Sequence, residues 1–103
     1  MIDRLELQQV LEDIVGEGRV YFQPPAQFKL SYPCIVYERD SIKTEFADND
    51  PFAHNKKYSI TVIDKNPEST LPDAVSELRL CSFSTHFVSD NLYHDVFTLY
   101  LER

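Results

Sequence analysis

The residues from Phe83 to Leu101 constrain the fold of this chain more than any other stretch. Two β-rich runs, Phe83-Ser84-Thr85-His86-Phe87-Val88-Ser89 and Val96-Phe97-Thr98-Leu99-Tyr100-Leu101, flank the polar connector Asp90-Asn91-Leu92-Tyr93-His94-Asp95 and predict a hairpin. Side chains alternate across a strand, so Phe97, Leu99 and Leu101 point one way while Val96, Thr98 and Tyr100 point the other. Both sides of this strand are greasy. One face is expected to pack on helices. The second needs cover too, either from loops over a central strand or from another subunit. Val96, Thr98 and Tyr100 are therefore the candidate oligomer interface, since apolar patches rarely stay bare on monomers and aromatics gather in interface cores.

The rest of the chain supplies the partners for that hairpin. Leu7, Val10, Leu11 and Ile14 recur at helical spacing and predict an amphipathic helix over residues 2–15, with Asp3 and Glu6 in a capping-box pattern. Gly16 and Gly18, the only glycines, end it. A short run, Arg19-Val20-Tyr21-Phe22, leads into Pro24-Pro25, which cannot sit in a central strand. Cys34-Ile35-Val36-Tyr37 reads as a strand that continues through Phe46, with Arg39-Asp40 either a turn or a bulge. Ala47 to Asn55 reads as a turn-rich loop, and Tyr58, Ile60 and Val62 alternate with Ser59 and Thr61 as a half-buried strand. After the turn Asp64-Lys65-Asn66-Pro67, a second helix is marked by Leu71, Val75 and Leu78 and ends near Leu80. Ser69 or Thr70 can cap it, and Pro72 suits its first turn. The order predicts an α+β fold: a mainly antiparallel four- to five-stranded sheet with two helices packed on one face.

A chain of 103 residues fits a single domain spanning 1–103, and 43% hydrophobic content suffices for its core. Seventeen acidic side chains against ten basic ones give a net charge of −7, a field that repels nucleic-acid phosphates. The acids are scattered, so no tail or block of charge is formed. No apolar run reaches the roughly 18 residues of a membrane span, and Met1-Ile2-Asp3-Arg4 does not open a signal peptide. Those readings set a reducing compartment as the expectation, with Cys34 and Cys81 as buried free thiols.

The motifs that invite chemistry are weak. His94-Asp95, with Asp90 four residues before His94, lacks the third and fourth ligands of a metal site and suits turn hydrogen bonding. Asp48-Asn49-Asp50 lacks the spacing, central glycine and closing Glu of a calcium loop. Cys81 and His86 are five residues apart, on opposite faces of a regular strand, and cannot form a thiolate–imidazole pair without a bulge. Two glycines cannot build a phosphate cradle, and Lys56-Lys57 is too short for a basic groove. The expectation is a chain with no catalytic residue, no cofactor and no metal. Two rival readings come from other classes: a small cytosolic enzyme using Cys34 or Cys81 with His86 or His94, and a monomeric acidic inhibitor module.

Four segments carry a family resemblance: Val20 to Pro25 (VYFQPP), Tyr32 to Tyr37 (YPCIVY), Tyr58 to Pro67 (YSITVIDKNP) and Asp90 to Tyr100 (DNLYHDVFTLY). In the same order along nearly the whole chain, they resemble small minor structural proteins of tailed phages, and most closely the tail terminator (tail completion) proteins of long-tailed phages. The resemblance implies a virion protein assembled in the host cytoplasm, a homo-oligomeric ring that is typically a hexamer. It implies contacts with the tail tube protein and with a head-completion or connector protein, DNA passing through the lumen unbound, and no membrane. A head-closure or adaptor subunit of the neck is the rival within that class. Asp48, Asn49, Asp50 and Phe52 are the candidate partner-docking loop, because long polar loops often carry docking function.

Overall fold

The computed structural model describes the backbone of residues 4–47 and 50–102 and the side chains of residues 4–40 and 56–101. The described residues form seven elements in chain order: α1 (Arg4–Val15), β1 (Val20–Phe22), β2 (Cys34–Ala47), β3 (Asp50–Asp64), α2 (Leu71–Ser76), β4 (Cys81–Ser89) and β5 (Leu92–Glu102). The strands form one sheet in the order β1-β2-β3-β5-β4. Only β1 runs parallel to its neighbour; every other pairing is antiparallel. The α+β fold expected from the sequence is the fold observed.

Each element follows from local chemistry. In α1, Leu7 and Leu11 lie one turn apart and are buried, while Ile14 packs against the same core. Gly16 ends the helix: its N–H donates to the Glu12 carbonyl at 2.8 Å, and its φ of +116° is a conformation that a side chain would strain. The Asp3 cap lies outside the described residues. Polar ties also hold α1 to the sheet. The Tyr37 hydroxyl donates to Gln8 Oε1 at 2.5 Å and accepts from Arg4 Nη1 at 3.2 Å, and the Arg4 guanidinium sits 4.4 Å from the centre of the Phe22 ring.

The second helix is shorter than expected. It stops at Ser76, and Leu78 packs on the core from the turn that follows rather than from the helix. Leu80, at φ +59°, reverses the chain into β4. Thr70 occupies the cap position without a side-chain bond; Ser69 Oγ instead accepts the Leu71 N–H at 3.2 Å. Upstream, Asp64 and Asn66 accept from the N–H groups two residues on, fixing the turn out of β3.

The core sits between the helices and one face of the sheet. Ile35 and Tyr37 of β2, Tyr58, Ile60 and Val62 of β3, and Phe97, Leu99 and Leu101 of β5 meet Leu7, Leu11 and Val75 there. Register makes this one face, because Tyr37 pairs with Ile60, and Ile60 with Phe97. Among the described residues the opposite face carries no helix. Its β1–β2 corner holds Tyr21, whose ring lies 5.3 Å from that of Phe28 and whose hydroxyl accepts from the Ser31 N–H. The connection between the two strands is thereby tied to that face, beside the buried Cys34 and Ile63.

Two segments differ from their sequence reading. Arg39 and Ser41 bracket a bulge in the β2–β3 ladder, so Arg39-Asp40 does not turn the chain. More substantially, Asp50 to Asn55 belongs to β3 rather than to a loop. Pro51 is tolerated there, because the β5 pairing begins only at Asn55 and no N–H of Pro51 is needed on that side. The β2–β3 hairpin therefore runs as two strands past the rest of the sheet.

Candidate interaction surface

The β4–β5 hairpin closes more tightly than its sequence suggests. Asp90 and Asn91 have φ of +53° and +62°, the pair of left-handed residues that a type I′ turn requires. Leu92, Tyr93, His94 and Asp95 consequently lie in β5, not in a connector. His94 and Asp95, set aside as turn structure, instead join cross-strand pairs. His86 Nδ1 donates to Asp95 Oδ1 at 2.8 Å on the helix-bearing face. On the other face the Phe87 and His94 rings stack at 4.5 Å with 12° between their planes.

Val96, Thr98 and Tyr100 share that helix-free face, as their alternation requires. Val96 pairs with Thr61 and Thr85, Thr98 with Ser59 and Ser82, and Tyr100 with Lys57. Val96 and Thr98 are half-buried and Tyr100 is 37% exposed. The face is thus a mixture of apolar groups and hydroxyls, less greasy than β5 alone implies. At its Tyr100 end, Lys57 Nζ meets Asp40 Oδ2 at 3.2 Å on the surface, a contact of small energetic value.

Of the four residues of the candidate docking loop, the two that are described lie in a strand rather than in a loop. Asp50 and Phe52 lie in β3, where Asp50 pairs with Ala47 and Phe52 falls at a register shift. Asp48 and Asn49 lie outside the described residues.

The feature that sequence reasoning missed is the edge formed by β4. From Ser82 to Ser89 every residue is exposed, including Phe83 at 57%, Phe87 at 45% and Val88 at 56%. Phe83 and Phe87 are four residues apart and would share a face on a regular strand. A register shift between Phe83 and Thr85 puts them on opposite faces. Phe83 sits edge-on to Phe97 at 5.7 Å over the helix side, while Phe87 lies on the helix-free side.

Groups able to do chemistry are sparse here. Burial pushes both thiols up to about 11, so each is almost wholly protonated at neutral pH and a poor nucleophile. Cys81 pairs with Leu99 and His86 with Asp95, which separates thiol from imidazole along the hairpin. Among the described residues no three His, Cys, Asp or Glu side chains cluster as metal ligands. No described helix is long and apolar enough to cross a membrane. Comparison with known proteins yields no matching family model and no matching curated protein.

Proposed function

We propose that this chain is a structural subunit of a tailed-phage virion. In this reading it forms a ring at the head-proximal end of the tail tube, ends tube polymerisation and joins tail to head. The observation that carries the reading is the face of β5 opposite the core, where Val96, Thr98 and Tyr100 have no second layer of secondary structure above them among the described residues. A subunit contact there would give β5 the cover that its composition calls for. The resemblance of four segments to tail terminators supports that class. The net charge of −7 is compatible with a lumen that DNA must traverse, since phosphates slide past carboxylates without sticking.

The test is assembly. Purified protein mixed with tail-tube subunits should cap growing tubes and fix their length under the electron microscope. Binding to connector rings without capping would assign it instead to head closure, and binding to neither would refute the neck reading. Tyr100→Ser should weaken ring formation while far-UV circular dichroism stays native.

A further inference from the structure

We infer that the outer edge of β4 pairs antiparallel with the same edge of a second copy, about a two-fold axis at Phe87. The contact is isologous and closes at two copies, so it goes beyond the ring reading and does not rest on it. It pairs free subunits, or two assemblies back to back.

Of the two end strands of the sheet, β4 is the one left bare along its length among the described residues. At the other end β1 is three residues long, its Val20 carbonyl accepts from Gln8 Nε2 at 3.2 Å, and Pro24-Pro25 follows. Edge strands are commonly blunted by charge, by proline or by brevity. The nine residues of β4 contain no Asp, Glu, Lys, Arg or Pro, and the bulge at Ser84 is the single blunting device.

Ladder phase and side-chain face together select one pairing. Tyr100 N–H donates to the Leu80 carbonyl at 3.1 Å, and the two-residue turn closes on Ser89 and Leu92. Hydrogen-bonded and non-bonded pairs alternate along an antiparallel ladder. Thr85, Phe87 and Ser89 therefore aim their backbone groups at β5, whereas those of His86 and Val88 point outward. Thr85, Phe87 and Ser89 lie on the helix-free face, and His86 and Val88 on the helix side. With the axis at Phe87, His86 of each copy faces Val88 of the other, and four N–H···O bonds form. They flank a Phe87–Phe87 pair, and the two Phe87–His94 stacks join into one row of four rings. Moving the axis to His86 or Val88 leaves a single hydrogen-bonded pair, and extending the pairing about Phe87 toward Cys81 sets the Ser84 bulge against the Asp90 turn of the other copy.

Charge points to the same occupant. Two chains of −7 repel, and an uncharged seam is where they can touch. The Asp90 residues of the two copies lie six strand steps apart, about 20 Å, beyond the ~10 Å reach of unscreened charge. A basic partner would find no carboxylate on β4. An uncharged strand, apolar on both faces, fits it, and this chain supplies one. The strip is short, with less area than the roughly 1,200 Å² of stable complexes, so the pair should dissociate on dilution.

Cysteine cross-linking in the full chain tests the geometry. A non-bonded antiparallel pair brings its Cα atoms to about 4.5 Å, within disulfide range. Phe87→Cys should give a covalent dimer rapidly under mild oxidation. Thr85→Cys, exposed on the same face but about 14 Å from its counterpart, should not exceed the wild-type background. In sedimentation, Val88→Lys should shift the protein to monomer. Equal cross-linking of both cysteine variants, cross-linking of neither, or a wild type that stays monomeric at its solubility limit would overturn the contact. Rings that form while the Phe87→Cys variant fails to cross-link refute this pairing alone; cross-linked dimers without rings refute the ring alone.

Discussion

Phe97 and Phe87 stand on the same hairpin, and their replacement separates core from surface. Phe97 is 2% exposed, lies opposite Ile60 and meets Phe83 edge-on. Phe97→Ala removes a fully enclosed ring and leaves a cavity, which costs about 3–5 kcal/mol. A domain of this size has a total stability of about 5–15 kcal/mol, so the variant should lose a large share of it, with a Tm lower by roughly 15–30 °C. Phe87 is 45% exposed and gives up little more than half of its area on folding. Of the roughly 200 Å² of an aromatic side chain, about 100 Å² at ~25 cal/mol per Å² sets an upper bound near 2.5 kcal/mol. Residual burial in the unfolded chain and the strand preference of threonine reduce the cost of Phe87→Thr to about 1 kcal/mol. Urea unfolding followed by far-UV circular dichroism measures both, provided that the slopes match. Equal losses at the two sites, or a larger loss at Phe87, would refute the placement of the core on the Phe97 face. It would then also remove the helix-free face as a place for partners.

Three further outcomes are expected. Both thiols are raised from 9.0 to about 11, by burial in each case, so their contribution to stability is present below pH 9 and is lost as pH rises from about 9 to 11; urea midpoints should fall across that window, and alkylation should be slow in the native state and fast after denaturation. Asn91 holds a positive φ of 62°, so Asn91→Gly should leave stability unchanged or slightly raised, while Asn91→Val should lower it by about 1–2 kcal/mol in the same urea assay. Tyr37→Phe deprives Arg4 and Gln8 of their shared hydroxyl, and a loss of about 1 kcal/mol is expected, with the helix content retained.

Periodicity made most of the fold legible. Leu7 and Leu11 announced α1, Tyr58-Ile60-Val62 announced β3, and Phe97-Leu99-Leu101 announced the core side of β5. What periodicity could not supply was neighbourhood. Tyr93, His94 and Asp95 look like a connector because polar side chains are scored as solvent-seeking, yet each finds a cross-strand partner on β4. The Asp90-Asn91 pair carried the signal of a two-residue turn, and reading it would have placed those residues in β5. Asp50 to Asn55 reads as a loop for a related reason: turn-forming residues cluster there, and they disfavour a central strand but not one whose outer side is unpaired. Strand order has no signature in one sequence, so the exposure of β4 was invisible. A bulge then hid its consequence, since Phe83 and Phe87 keep a spacing that places them together on a regular strand.

That bulge also sets the limit on what β4 can do. Ser84 is the one residue of β4 without a partner on β5: Phe83 pairs with Phe97 and Thr85 with the adjoining Val96. Deleting Ser84 would leave every other pair of the hairpin in register and on its present face, so the variant should fold. Its edge, however, would run regularly from Cys81 to Ser89 with Phe83, Phe87 and Val88 still bare and no charge to repel a second strand. Bulges twist an edge away from further pairing, and here no other residue of β4 performs that task. The deletion should therefore lengthen the self-pairing segment and raise association, seen as a larger mass in light scattering at equal concentration. An unchanged mass, with native circular dichroism, would mean that the bulge does not restrain the edge, and the limit on the length of the pairing would have to be sought in the charge of the chain around it.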